Sequence, residues 1–406
     1  MIKSIQSRQE QRVKCARMLN ALSPDVLYTR FGISRVSQIN GFDWVGLPVF
    51  SVTRPEGLSV SINSGKGLSP MMARAGAVAE GIEFSYAENP QILLEDKTLD
   101  EAMLEAHHAV QPEEWSLARG ATLNPHRRYT WDDVSRLEDP NGTRYLIPSE
   151  LLYIAEARKS HLMHFQASTN GWASGASLDD AILSGLYEVV ERDNWTLWRW
   201  QIEKRAYWPG RLDTDVLVRY PAIAVLIERI QLANLRCFCF DISTDTALPA
   251  VWAILYDLNP VPAGVFSGFG CAGSMDRALE RAITESIQSR SCYIAGARDD
   301  LFRRSFLMMK NYDIKSSIEV MENSPISYST YRLLAVDPLV SAAEELQLVT
   351  THLAAYGFKD FYFKNAGTPF AGNPFSVVKV YSPCLEQYYC PHWTPSKRFY
   401  AYVGQT

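Results

Sequence analysis

Apolar positions recur along this chain in two periods, and each period predicts a kind of element. Residues 45–63 alternate apolar and small residues around Pro55-Glu56-Gly57, which predicts two strands joined by a turn. The runs CFCFDIS (237–243), AVWAILYDL (250–258) and PFSVVKVYSP (374–383) also read as strands. Helical spacing covers about residues 3–20, an acidic stretch at 91–108, Ala222 to Leu235, and the region 330–360, with a turn at Ser23-Pro24. The polar stretch 110–145 holds Asn124-Pro125 and Asp139-Pro140-Asn141-Gly142, and is expected to be an insertion or a lid. Helices and strands mix throughout, which predicts the α+β class.

One pattern repeats. Three segments share the ungapped template Ser-x3-Ala-x6-Glu-x2-(Glu or Gln): Ser69, Ala73, Glu80, Glu83; then Ser177, Ala181, Glu188, Glu191; then Ser274, Ala278, Glu285, Gln288. A glycine-rich approach precedes each: Gly65-Lys66-Gly67, Ser174-Gly175-Ala176, and Gly270-Cys271-Ala272-Gly273. Serine after glycine and before helix formers is an N-cap, so three helix starts are expected. Pro70 suits the first helical position of one copy, and Asp180 the third position of another. Along each helix the alanine, the glutamate and the residue three further on fall near one face. Small residues near each start allow another backbone to approach closely.

A stripe that only packs on a core should be apolar. Here polar groups interrupt apolar text in AVAEGIEF, GLYEVVERD and AITESIQSR. Half-buried carboxylates are costly unless a cation or strong donors meet them. Five carboxylates and a glutamine arranged this way suggest a site for a hard cation such as Mg²⁺, which takes oxygen ligands and keeps company with phosphates. Arg192 follows Glu191 directly and Arg290 comes two after Gln288, and an arginine fork binds phosphate oxygens in pairs. A single Glu-x2-Glu is usually a solvated face; three ungapped copies point to a metal and nucleotide site. A Gly-x4-Gly-Lys-Ser/Thr loop is absent, so ATP would be held by another device.

Composition narrows the partners. The 406 residues are 47% hydrophobic and 21% charged, ordinary values for a soluble globular protein. A net charge of −5 supplies no general attraction for nucleic acid or anionic lipid. Seven cysteines, an odd number in a chain this long, fit a reducing cytoplasm rather than a disulfide scaffold. No uncharged stretch reaches the roughly 18–20 residues a bilayer requires, and no membrane partner is expected. Cys384, Cys390 and His392 lack zinc-knuckle spacing, while His107-His108 and His161 with His164 lack a partner acid or nucleophile at a diagnostic distance. Cys237, Cys239 and Cys271 read as small buried residues, and Trp195, Trp198 and Trp200 as aromatic packing.

The stretch Asn170-Gly171-Trp172-Ala173-Ser174-Gly175, leading to Glu188, Glu191, Arg192 and Asp193, resembles the central signature of the YcaO family. So do Ser64-Gly65-Lys66-Gly67 leading to Glu80 and Glu83, and Ala278 leading to Glu285, Gln288 and Arg290. The resemblance covers about residues 45–385. Gly32-Ile33-Ser34-Arg35-Val36, Gly46-Leu47-Pro48-Val49, Arg54-Pro55 and Gly296-Ala297-Arg298-Asp299-Asp300 place it nearest the compact subgroup often associated with a TfuA protein.

The resemblance implies an α+β fold around a Mg²⁺–ATP site that activates a peptide amide oxygen by phosphorylation, leaving a thioamide, an azoline or an amidine. By the same resemblance Glu80, Glu83, Asp180, Glu188 and Glu191 are the metal ligands. Lys66, Ser184, Glu285, Gln288, Arg192 and Arg290 join the glutamates around the nucleotide, and Glu191, Arg192 and Arg290 carry catalysis. It implies a division into an N-terminal helical segment (1–44), a catalytic body (45–390) and a tail (391–406). A precursor peptide and a TfuA-like sulfur donor are the implied partners, with a homo-oligomer as family habit. Three departures from the family pattern stand out: Gly76 where serine is common, Ala176 and Asp180 where asparagine and glutamate are common, and a C-terminus without Pro-x-Pro-x-Pro. The last favours thioamidation, and the first two raise the alternative of a scaffold that recruits a precursor peptide without turning over ATP.

Overall fold

A computed structural model describes residues 7–404 apart from 107, 125, 155–163, 260–262, 297, 299–300, 302–312, 327 and 391–392. The chain divides into two compact, interleaved units, one of residues 12–82 and 200–340 and one of residues 1–11, 83–199 and 341–406. Helices and strands are mixed, and every strand pair within the sheets is antiparallel.

The first unit opens with most of α1 (Arg8–Asn20) and with α2 (Pro24–Phe31). Ser23-Pro24, expected as a turn, starts α2: Ser23 accepts from the Val26 N–H and proline takes a first-turn position, where its missing donor costs nothing. Strands β1 (Arg35–Gln38), β2 (Val49–Thr53) and β3 (Ile62–Lys66) form a meander, with β2 and β3 joined through Pro55-Glu56-Gly57 as expected. Helix α3 (Pro70–Glu88) follows β3.

A second sheet runs β11-β10-β9-β8, built from β8 (Gly210–Arg211), β9 (Leu235–Asp241), β10 (Ala250–Asp257) and β11 (Val265–Cys271). Helices α7 (Thr214–Leu217), α8 (Pro221–Leu232), α9 (Met275–Ile294) and α10 (Ile314–Glu322) complete this unit. Val251, Ala253 and Leu255 alternate on the inner face of β10 and meet Leu226, Ile230, Ala282, Ile283 and Ile287 in one apolar core. The period-2 pattern of β9 and the helical pattern of α8 both need that core, because each alone exposes its apolar side.

The second unit is built on a sheet ordered β4-β5-β12-β13-β7, with β6 paired to the other edge of β5. Its strands are β4 (Leu94–Lys97), β5 (Tyr129–Arg136), β6 (Asp139–Pro148), β7 (Trp172–Gly175), β12 (Tyr362–Gly367) and β13 (Ser376–Tyr381). Its helices are α4 (Leu99–Ala106), α5 (Ser149–Leu152), most of α6 (Leu178–Arg205), α11 (Ala342–Ala355) and α12 (Lys397–Val403). The stretch 110–145, read as an insertion or lid, supplies strand β5 and most of β6. Asp139-Pro140-Asn141-Gly142 opens β6 at a register shift against Ser135 and Arg136, while Tyr129, Trp131 and Val134 are buried. Among the described residues no helix is long and apolar enough to cross a membrane. None of the seven cysteines is in a disulfide. His107, His161 and His392 lie outside the described residues.

Candidate functional site

The repeated template folds three times into the same local object: a strand whose glycine lies flat on the start of the next helix. A Cβ on Gly65 of β3 would sit 2.0 Å from Ala77 N and 2.4 Å from Ala73 O of α3. One on Gly175 of β7 would sit 2.2 Å from Ala181 N of α6. On β11, Gly268 and Gly270 would collide with Ala282 O at 2.2 Å and Ala278 O at 2.3 Å of α9. Only glycine against alanine permits such backbone contact, which is the reason for the small residues in each copy. Ser69 and Ser177 cap their helices by accepting from Met72 N and Asp180 N. Ser274 stands at the N-cap of α9 but makes no side-chain cap bond, so the third expected cap is absent.

In the unit of residues 12–82 and 200–340, Lys66 Nζ donates to Glu285 Oε2 at 2.9 Å, joining the first and third copies. Glu80 stands close to Lys66, and burial pushes its carboxyl up to about 7 against the pull of Lys66, Asn63, Ser64 and Arg298. Asn63 is 1% exposed, and neither its amide oxygen nor its amide nitrogen has a hydrogen-bond partner of good geometry. A half-buried carboxyl raised by desolvation, beside the buried amide of Asn63, is a set of oxygen donors that a hard cation can satisfy, so the residues fit Mg²⁺. Gln288 lies one turn beyond Glu285, half-buried.

Arg290, expected at the nucleotide, is enclosed by carboxylates. Its guanidinium donates to Asp43 Oδ1 at 2.6 Å and to Asp257 Oδ2 at 3.0 and 3.3 Å. All three side chains are nearly fully buried. With its fork engaged by two carboxylates it clamps the 40–46 loop to β10.

In the unit of residues 1–11, 83–199 and 341–406, Glu83 Oε1 accepts from Ser174 N at 2.7 Å and Ser174 Oγ at 2.6 Å, which fixes it at the end of β7. Glu188 is half-buried and Glu191 buried on α6. Lys379 of β13 is buried beside Glu188 and donates to the Ser168 and Asn170 carbonyls. Burial lowers its amine to about 7, with the Glu188 charge opposing. Arg192 is half-buried, with its guanidinium 5.2 Å from the Tyr388 ring centre.

Asp180, expected as a metal ligand, is engaged by Arg8. One oxygen accepts from Arg8 Nε at 2.7 Å and the other from Ala176 N at 2.9 Å, and the side chain is 1% exposed. Arg8 also donates to Glu345 Oε1 at 3.0 Å, and Tyr187 Oη donates to the same oxygen at 2.8 Å. Ser184 Oγ is bonded to Asp180 O and faces Arg8 at 3.5 Å. Arg8 therefore meets the carboxylate expected to hold a metal, and Ser184 belongs to the same network. Sequence reading missed Arg8, Asn63, Glu345 and Lys379. Only Lys379 carried a signal, a charge inside the apolar alternation SVVKVY. Among the described residues no three of His, Cys, Asp and Glu form a metal cluster by themselves.

Comparisons with known proteins agree with this architecture. The family model described as YcaO cyclodehydratase, ATP- and Mg²⁺-binding, matches residues 64–386. An uncharacterized protein in the tfuA 3′ region of Rhizobium leguminosarum bv. trifolii is 29% identical over 371 residues, covering 88% of this chain and 84% of its own. An uncharacterized protein of Methanothermobacter thermautotrophicus is 28% identical over 386 residues, covering 93% and 95%. The structure of YcaO from Methanopyrus kandleri bound with AMPPCP and Mg²⁺ superposes with a TM-score of 0.62 at 17% identity, covering 92% of this chain and 91% of that one. A heterocyclase in complex with substrate and cofactor gives a TM-score of 0.72 at 16% identity, covering all of this chain and 56% of that one.

Proposed function

The chain belongs to the YcaO family, and from that premise we propose that it uses ATP and Mg²⁺ to activate a backbone amide of a ribosomally made peptide or protein and installs a thioamide there. The observation that carries the finer reading is the relative in the tfuA 3′ region, similar over 88% of this chain. A TfuA-like protein would then be the sulfur-delivery partner.

When bound, ATP supplies the phosphoryl group that makes the amide oxygen a leaving group, and Mg²⁺ neutralises phosphate charge. The chain supplies alignment and charge. By the family resemblance Glu80, Glu83, Glu188 and Glu191 would hold the metal, and Lys66, Glu285, Gln288 and Arg192 would meet the nucleotide. Lys66 is kept in place by Glu285, and Glu83 by Ser174. Asp180, Ser184 and Arg290 are left out of the set, because the first two are engaged with Arg8 and the third with Asp43 and Asp257. Little covalent chemistry falls to side chains, so positioning and electrostatics carry the rate.

Cyclodehydration to an azoline or amidine is the second reading, supported by the family description. Proteins from cells expressing the chain, compared by mass spectrometry with those from cells expressing Glu191→Ala, test both. Sulfur in place of backbone oxygen is expected only with the wild type. Loss of water instead assigns cyclodehydration. Neither change, together with no phosphate release from ATP, contradicts an enzymatic role and favours the scaffold.

A further inference from the structure

The segment after β13 grips α6 just beyond its acidic stripe. Asp193 follows Arg192 directly and is fully buried. Its Oδ1 accepts from Arg398 Nε and from Glu386 N, both at 2.8 Å, and its Oδ2 accepts from Arg398 Nη2 at 2.7 Å. Thr196 Oγ1 donates to Gln387 O at 2.9 Å and accepts from Tyr389 N at 3.0 Å. The Glu386 carboxylate in turn gathers the residues that follow, accepting from Trp393 Nε1 at 3.0 Å and Phe399 N at 3.1 Å. Residues 386, 387 and 389 are thus each bonded to α6, and Tyr388 is held between them.

The Tyr388 ring faces Arg192, 5.2 Å from its guanidinium carbon. A guanidinium over an aromatic face is attracted by the ring quadrupole, while its N–H groups donate in the plane of the fork. A long arginine side chain otherwise loses much rotamer freedom when it meets a ligand. We propose that Tyr388 is a positioning residue: it holds the Arg192 guanidinium in place for the nucleotide phosphates, and the Asp193–Arg398 and Glu386 bonds hold Tyr388. The proposal rests on the reading of Arg192 as a phosphate contact and adds the residue that aims it.

The full chain is titrated calorimetrically with AMPPCP and Mg²⁺, and the melting temperature of each variant is recorded. Tyr388→Phe keeps the ring face and should bind within about twofold of wild type. Tyr388→Leu keeps bulk but loses the quadrupole, and should bind about three- to fivefold more weakly at an unchanged melting temperature. Tyr388→Met gives a second ring-less side chain should Tyr388→Leu fail to fold. In an Arg192→Ala background the Leu substitution should add nothing. Ring-less variants that bind like wild type, or a loss that persists undiminished in the Arg192→Ala background, would overturn the positioning role alone. Arg192→Ala that binds like wild type would overturn the phosphate reading itself, so the two failures are told apart.

Discussion

Arg192 and Arg290 hold similar places in the repeated template and opposite places in the molecule. Arg290 is enclosed between Asp43 and Asp257, with its fork committed. Arg192 is half-buried on an aromatic ring. The same contrast separates Asp180, taken up by Arg8, from Glu83, whose Oε1 accepts from Ser174. A motif position therefore tells which residue type is present, and the packing around it decides whether its charge is available to a ligand.

The largest expected effect comes from breaking the enclosed member. Arg290→Ala leaves two buried carboxylates without their cation, at a cost of about 3–5 kcal/mol, read as a lower denaturant midpoint. An unchanged midpoint would remove the contrast. The segment that supports Arg192 has a pH signature of its own. Burial pushes Glu386 up to about 7, with the charge of Asp193 adding to it and the donors from Ser396 and Trp393 opposing it. The unfolded chain ionises this group near 4.5, so between about 4.5 and 7 the folded state keeps a proton that the unfolded state has released. Stability is greatest below that window and falls as pH rises through it, by about 3 kcal/mol in all. Glu386→Gln should flatten this part of the stability profile.

Arg192→Ala should weaken binding of the ATP analogue by roughly tenfold or more, as loss of a charge-assisted phosphate contact costs about 1.5–3 kcal/mol, at an unchanged melting temperature. The smallest effect is expected at Gly76. A Cβ there would meet only Gly65 Cα at 3.7 Å and Lys66 O at 3.8 Å, ordinary contacts. Gly76→Ser should fold and gain about 0.5 kcal/mol in helix propensity. Tighter nucleotide binding in that variant would show that the missing hydroxyl had limited the site.

Much of this was legible in the residues. The three glycine–alanine approaches, two of the three serine caps, the hairpin at 49–66 and the strands at 237–257 follow from local pattern. Strands β5, β11 and β12 were not read from the chain. In β5 and β6 turn formers dominated the text, and β11, with Ser267, Gly268 and Gly270 in its run, has too little apolar alternation to stand out. The Arg8–Asp180 and Asp43–Arg290 pairs join residues 172 and 247 apart, and no local spacing announces them. Pairing of this kind decides which candidate residues remain available.

The central claim is that the glutamates of the repeat helices hold Mg²⁺ and ATP. Calorimetric titration of the full chain with AMPPCP, with and without Mg²⁺, alongside Glu191→Ala, tests it most directly. The account predicts binding to the wild type that requires Mg²⁺ and is lost in the folded Glu191→Ala variant. A folded wild type that binds no nucleotide, or a Glu191→Ala variant that binds as tightly, would contradict it.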